Sequence, residues 1–141
     1  MKKTAVVYWS GTGNTQAMAE TIVEGAKKAG ADCSLFTAAD FSDSMVDDYD
    51  AIAFGCPAMG SEELEDSEFE PMFSACKPKL SGKAIALFGS YGWGDGQWMI
   101  DWEEDAKAAG AALICDSVMC NETPDDDANA ACAALGEALA K

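Results

Sequence analysis

Five short apolar runs are spaced along this chain, and the segments between them have a different period. The runs are Thr4–Trp9, Cys33–Phe36, Ala51–Gly55, Ala84–Gly89 and Ala112–Met119. Several are continuous rather than alternating, which is the pattern of strands covered on both faces of a parallel sheet. Between them, Met18, Ile22 and Ala26 recur every four residues, as do Trp98, Trp102 and Ala106. Ala128, Ala131, Leu135 and Leu139 line one face of a last helix. Its expected start is Thr123 as N-cap and Pro124 at the first helical position, with Asp125, Asp126 and Asp127 set against the positive helix end. Gly30, Gly82 and Gly110 fall where helices should stop before the next strand. Only the stretch 40–48 is short and weakly helical. This β-α alternation predicts an α/β fold with an open, doubly wound, five-stranded parallel sheet and helices on both faces.

In such sheets ligands sit outside the carboxyl ends of the strands. The loops to inspect are therefore "SGTGNT", "CPAMGSEELED", "SYGWGDG" and "CNETPDD". Charge narrows what they could bind. Lys and Arg total 9 against 25 Asp and Glu, a net charge of −16, which argues against nucleic acid and against an anionic membrane surface. No apolar run approaches the ~20 residues of a membrane span. The opening "MKKTAVVYW" lacks the h-region and cleavage site of a signal peptide, so a cytoplasmic protein is expected. With 141 residues, 49% of them apolar, residues 1–141 are expected to form a single domain. The six cysteines form no C-x-x-C and there is no histidine. Zinc or iron–sulfur sites and Ser-His or Cys-His couples are disfavoured on that ground.

The first loop offers Ser10, Thr12, Asn14 and Thr15 as side-chain donors, while Gly11 and Gly13 let backbone N–H groups turn inward. With the N-terminus of the following helix this is a cradle for an anion such as a phosphate, built without Lys or Arg. It is neither G-x-x-x-x-G-K-[ST] nor G-x-G-x-x-G. In the fourth-strand loop Trp93 stands between Gly92 and Gly94, mounted to cover a flat ring, or else to fold back toward Trp98. Trp98 and Trp102 follow helical spacing and are assigned to the core. In the third-strand loop Met59 offers a soft apolar face, Gly60 can turn its peptide either way, and Glu62 can accept from a ring N–H. Together these loops describe a slot for a planar heteroaromatic mononucleotide.

"YWSGTGNT", "GCPAMGSEELEDSEFEP" and "ALFGSYGWGDG", in this order and at these separations, resemble the short-chain flavodoxins over essentially the whole chain. Nothing interrupts the last expected strand, as in the short-chain class. The resemblance implies strand order 2-1-3-4-5 and non-covalently bound flavin mononucleotide (FMN). It places the phosphate on Ser10, Gly11, Thr12, Gly13, Asn14 and Thr15, and the ring between Met59 and Trp93. The Gly60–Ser61 peptide would flip on reduction and Glu62 would bind the ring N3–H. Pro57 and Ala58 complete that loop; Ser90, Tyr91, Gly92 and Gly94 address the pyrimidine edge, and Asn121 the ring or ribityl chain. Some relatives have Ser at the position of Pro57 and Asp at that of Ser61.

The implied role is a low-potential one-electron carrier working between semiquinone and hydroquinone, an electron-transfer protein rather than an enzyme. Carboxylates ~10 Å from the ring, each worth about 0.4 kcal/mol in water, would lower the second potential. Expected partners are basic-surfaced redox enzymes met in brief complexes, with no nucleic acid and no membrane, the protein itself being a monomer. The alternative is a flavodoxin-like NAD(P)H-dependent quinone reductase; a domain that has lost its flavin is a third reading.

Overall fold

The computed structural model describes residues 2–11, 13–59, 64–92 and 96–141. Its strands are β1 (Lys3–Tyr8), β2 (Asp32–Thr37), β3 (Ala51–Gly55), β4 (Ala84–Tyr91), β5 (Ala112–Leu113) and β6 (Val118–Asn121). Its α-helices are α1 (Asn14–Lys28), α2 (Phe69–Cys76), α3 (Gln97–Ala108) and α4 (Asp126–Ala140). The sheet runs β2-β1-β3-β4-β5 with every pairing parallel, and β6 also pairs with β4. No helix among the described residues is long and apolar enough to cross a membrane.

The expected order 2-1-3-4-5 is thus the observed one, but the fifth path is divided. Ile85 pairs with Leu113 and Phe88 with Val118, so residues 114–117 pass opposite only 86 and 87. The stretch is polar at Asp116 and Ser117, and the Ser117 hydroxyl donates to Glu103 on α3 at 2.7 Å. A continuous strand over Ala112–Met119 is corrected accordingly. The start of α4 is corrected too. Asp125, not Thr123, is the N-cap, its carboxylate accepting from the Ala128 N–H at 2.8 Å. An Asp in that position both bonds an orphan N–H and opposes the helix dipole, which a threonine two residues earlier cannot do once the chain turns after it.

Each face of the sheet carries its own core. On one side α1 and α4 cover Val6, Ala53 and Phe88 with Met18, Ile22, Ala26, Cys132, Leu135 and Leu139. On the other, α2, α3 and the 3₁₀ turns Ala38–Asp40 and Asp43–Asp48 cover Val7, Phe54 and Leu87 with Phe41, Val46, Phe69, Phe73, Trp98 and Trp102. Phe54, Phe73 and Trp102 meet edge to face, at 5.1 and 5.6 Å between centroids, an arrangement favoured by the ring quadrupole. Gly30, Gly82 and Gly110 all have positive φ, at 97°, 75° and 89°, and close the helical segments as their positions suggested.

The contact between α1 and α4 is closer than side chains allow. A Cβ on Gly136 would lie 2.2 Å from the Ile22 carbonyl oxygen and 2.7 Å from the Ala26 nitrogen; one on Gly25 would lie 2.5 Å from the Ala133 oxygen. Glycine at both crossings lets the backbones touch, so Gly136 and Cys132, rather than Ala131, share the buried face of α4 with Ala128, Leu135 and Leu139. Gly136→Ala should therefore lower the unfolding free energy by roughly 1–3 kcal/mol, read by urea denaturation; an unchanged midpoint would contradict the packing.

Candidate functional site

The strands β1, β3 and β4 end at one rim, and a cavity of about 600 Å³ opens there. Trp9, Gly11 and Asn14 line it after β1, Pro57, Ala58 and Met59 after β3, and Ser90, Tyr91 and Gly92 at the end of β4. Glu122 and Thr123 close it after β6. The walls are largely apolar, with a few convergent polar groups, the usual composition of a small-molecule site.

The first loop is set by its own turn. Gly13 has φ 96° with open space where a Cβ would stand, and its N–H donates to the Ser10 hydroxyl oxygen at 3.0 Å. Helix α1 begins at Asn14 with no side-chain cap and no acidic residue in its first turn. Its leading N–H groups and positive dipole end are thus offered outward, as an anion requires. The Thr15 side chain is turned inward instead: it is buried and shares a 3.1 Å hydrogen bond with the Ser90 hydroxyl. That bond joins the base of α1 to the end of β4 under the cavity.

The loop after β3 is held at both ends. Ala58 N–H donates to the Ser90 carbonyl at 3.0 Å, and Cys56 N–H to the Phe88 carbonyl at 3.1 Å. The Cys56 carbonyl accepts from the Trp98 indole at 3.2 Å. At the far end the Glu65 N–H donates to the Cys56 sulfur at 3.4 Å. Glu65 is 5% exposed, and its carboxylate accepts from the backbone N–H groups of Ser67 (2.9 Å), Glu68 (2.8 Å) and Phe69 (2.9 Å) and from the Ser67 hydroxyl. Burial pushes its carboxyl up, but the Ser67 hydroxyl and these three N–H groups together outweigh burial and hold it below the ordinary value.

The thiols have no comparable activation. All six are pushed above their ordinary value, first by desolvation, Cys56 and Cys132 to about 12 and Cys76 to about 11. The reactive thiolate form is therefore suppressed, and these cysteines behave as small apolar residues.

Of the residues singled out from sequence, Gly11, Asn14, Pro57, Ala58, Met59, Ser90, Tyr91 and Gly92 line the cavity. Ser10 lines a smaller neighbouring cavity, and Asn121 faces a third, shared with Met119 and Asp127. Gly13 and Thr15 shape the first loop from outside the lining. Thr12, Gly60, Ser61, Glu62, Trp93 and Gly94 lie outside the described residues. Trp9, Glu122 and Thr123 were not singled out. Trp9 reads as the last residue of an apolar run, and Glu122 and Thr123 follow Asn121 in a loop already of interest. The backbone brings them in: Glu122 adopts a left-handed φ of 58° and its N–H donates to the Tyr91 carbonyl at 2.8 Å, which turns the chain across the rim.

A doubly wound sheet with a neutral anion cradle beside an apolar slot defines a mononucleotide-binding α/β protein. Comparison with known proteins makes this specific. The family model "Flavodoxin" matches residues 6–136. A flavodoxin of Megasphaera elsdenii is 52% identical over 139 residues, covering 96% of this chain and 97% of the relative, and one of Clostridium beijerinckii is 43% identical over 135 residues, covering 96% and 97%. The solution structure of two-electron reduced Megasphaera elsdenii flavodoxin superposes with a TM-score of 0.90 at 50% identity, covering 97% of this chain and 98% of that one. The chain belongs to the flavodoxin family, whose cofactor is FMN.

The donor set suits that cofactor. The cavity offers neutral donors and an uncapped helix start, together with flat or soft walls from Trp9, Met59 and Tyr91. Glu65 gives a pH-dependent expectation. A depressed carboxyl stabilises the fold above its unfolded value of 4.5, and that contribution is lost as pH falls through the lower folded value. Glu65→Gln should reduce the unfolding free energy at pH 7 by roughly 1–3 kcal/mol. The deficit should shrink below about pH 4.5, followed by urea titrations across pH.

Proposed function

We propose that residues 1–141 form a single FMN-binding domain that carries electrons one at a time, at low potential, between redox enzymes. The observation that carries this reading is the rim cavity itself, with its uncharged anion cradle facing apolar walls, in a chain of the flavodoxin family. When bound, FMN supplies the one-electron chemistry; the protein sets its position, its hydration and the charge around it.

The first turn of α1, with Ser10, Gly11, Thr12, Gly13, Asn14 and Thr15, holds the phosphate. Asn14 lines the cavity with its amide oxygen accepting from the Thr123 hydroxyl at 3.4 Å, and the Ser10–Gly13 bond fixes the turn. Met59, Tyr91 and Gly92 exclude water along the ring, with Pro57 and Ala58 behind and Trp93 and Gly94 completing the wall. Gly60, Ser61 and Glu62 offer acceptors to ring N–H groups, and Asn121 contributes near the sugar chain. The Thr15–Ser90 pair closes the floor; one hydroxyl donates to the other, which leaves the accepting hydroxyl's own proton for the ligand.

Charge sets the potential. Among the described residues that line the cavity, the one formal charge is the carboxylate of Glu122, and no Lys or Arg is present to offset it. On a chain of net charge −16, adding an electron to the bound cofactor is opposed from every side. The same field steers the protein toward basic surfaces, giving brief complexes from which a monomeric carrier in the cytoplasm departs after transfer.

FMN added to flavin-free protein should bind with a stoichiometry near one and give a yellow complex that survives dialysis. Stepwise reduction should then show two separated one-electron steps, the lower one below that of free FMN, and NAD(P)H with a quinone should give no steady turnover. Removing the rim charge by Glu122→Gln should raise the lower potential by on the order of 10–20 mV, since a carboxylate ~10 Å away contributes about 0.4 kcal/mol. Spectroelectrochemical titration of the two proteins checks it; equal potentials would remove Glu122 from the account.

A further inference from the structure

Trp9 stands between two cavities. It lines the rim cavity and also a cavity of about 310 Å³, which it shares with Ser10, Thr37 and Glu68. Three contacts keep it there. Its backbone N–H donates to the Gly55 carbonyl at 3.0 Å. Its ring lies over the bare Cα of Gly11, where a Cβ would meet the six-membered ring at 3.1 and 3.3 Å. Its indole N–H donates to Glu68 Oε1 at 3.1 Å. The first contact holds the backbone and the second is a surface the ring can slide along. The ring also packs against the core beneath it, and the third contact is the one that engages the indole N–H.

Glu68 is itself held from below. It occupies the N-cap position of α2, its N–H is taken by Glu65 Oε1 at 2.8 Å, and its carbonyl accepts from Met72 at 3.3 Å. The buried Glu65 carboxylate also takes the N–H groups on either side, of Ser67 and Phe69. Glu68 is exposed, but its side chain leaves a fixed backbone, so the carboxylate reaches Trp9 from a constrained base. The N-terminal end of α2 also favours an acid there.

We propose that Glu68 is a positioning residue: its carboxylate holds the Trp9 indole as a fixed partition between the cofactor cavity and its neighbour, and so sets how tightly FMN is held. The inference rests on the reading of the rim cavity as the FMN site. Without the acceptor, the half-buried indole N–H turns toward water, the two cavities merge along Gly11, and the wall next to the phosphate cradle is lost.

The test compares native protein with Glu68→Ala, Glu68→Gln and Trp9→Phe. In flavin-free protein, ¹H–¹⁵N correlation spectra show the indole N–H signals, and loss of one in Trp9→Phe assigns Trp9. Glu68→Ala should move that signal upfield, and Glu68→Gln, which keeps an oxygen acceptor, should leave it near its native place. FMN affinity, read from quenching of flavin fluorescence, should fall roughly three- to tenfold in Glu68→Ala and be largely restored in Glu68→Gln. A double variant with Trp9→Phe should lose little beyond either single change. An indole signal unmoved by Glu68→Ala would overturn the brace. Equal affinities for the Ala and Gln variants would overturn positioning in favour of charge. If native protein bound no FMN, the reading of the rim cavity would fail, and the affinity half of the proposal with it, while the indole signal would still decide the contact.

Discussion

The peptide of Cys56 ties the functional rim together. Its N–H continues the ladder to Phe88, its carbonyl takes the Trp98 indole from α3, and its thiol takes the Glu65 N–H from the start of α2. The space that permits this comes from the next strand: a Cβ on Gly89 would sit 2.2 Å from the Cys56 oxygen. A residue with a side chain at 89 would push the loop after β3 away from the end of β4, and the cavity lies between those two segments. Gly55 does the same at the preceding position, where a Cβ would enter the Phe88 ring at 2.2 Å. The site thus depends on a close backbone approach at the ends of β3 and β4. The thiol pushed up to about 12 stays protonated, which lets it serve as a weak donor and acceptor without introducing charge beneath a redox site.

That approach follows from the purity of the strands. β3 is buried at every position, and β1 at all but its first. Polar and glycine residues are therefore displaced to the strand ends, and parallel connectivity delivers the carboxyl ends of β1, β3 and β4 to one rim. The Thr15–Ser90 pair is the exception that fits this rule. Two buried hydroxyls share one hydrogen bond at 3.1 Å where the core meets the cavity, which makes the floor polar without adding charge.

Much of this was legible in the amino-acid order. The apolar runs located the first four strands, the period of Met18, Ile22 and Ala26 located the buried face of α1, and Gly30, Gly82 and Gly110 marked real stops. The errors share a cause, which is that they turn on tertiary partners. The break in the fifth path depends on Ser117 finding Glu103 on α3. The buried face of α4 shifts to Cys132 and Gly136 because a glycine on α1 lets the helices meet at backbone distance. Trp9 looks like the end of a strand until Glu68, 59 positions away, turns its indole into a wall.

Acidic charge in this protein serves two physically distinct purposes. Glu65 is buried, yet it adds little to the repulsive field, because three backbone N–H groups at the start of α2 and a serine hydroxyl face its oxygens. Its charge acts locally, ordering the chain at residues 67–69. The exposed carboxylates, Glu122 foremost, have no such donors among the described residues lining the cavity, so on the proposed reading their field reaches both the cofactor and the partners. The two kinds of acid should therefore separate under salt. Screening over about 10 Å at 0.1 M weakens exposed charges and leaves a buried, hydrogen-bonded one nearly untouched. Electron-transfer rates and the lower potential should respond to ionic strength while the order of the loop after β3 does not, because steering and folding draw on different carboxylates.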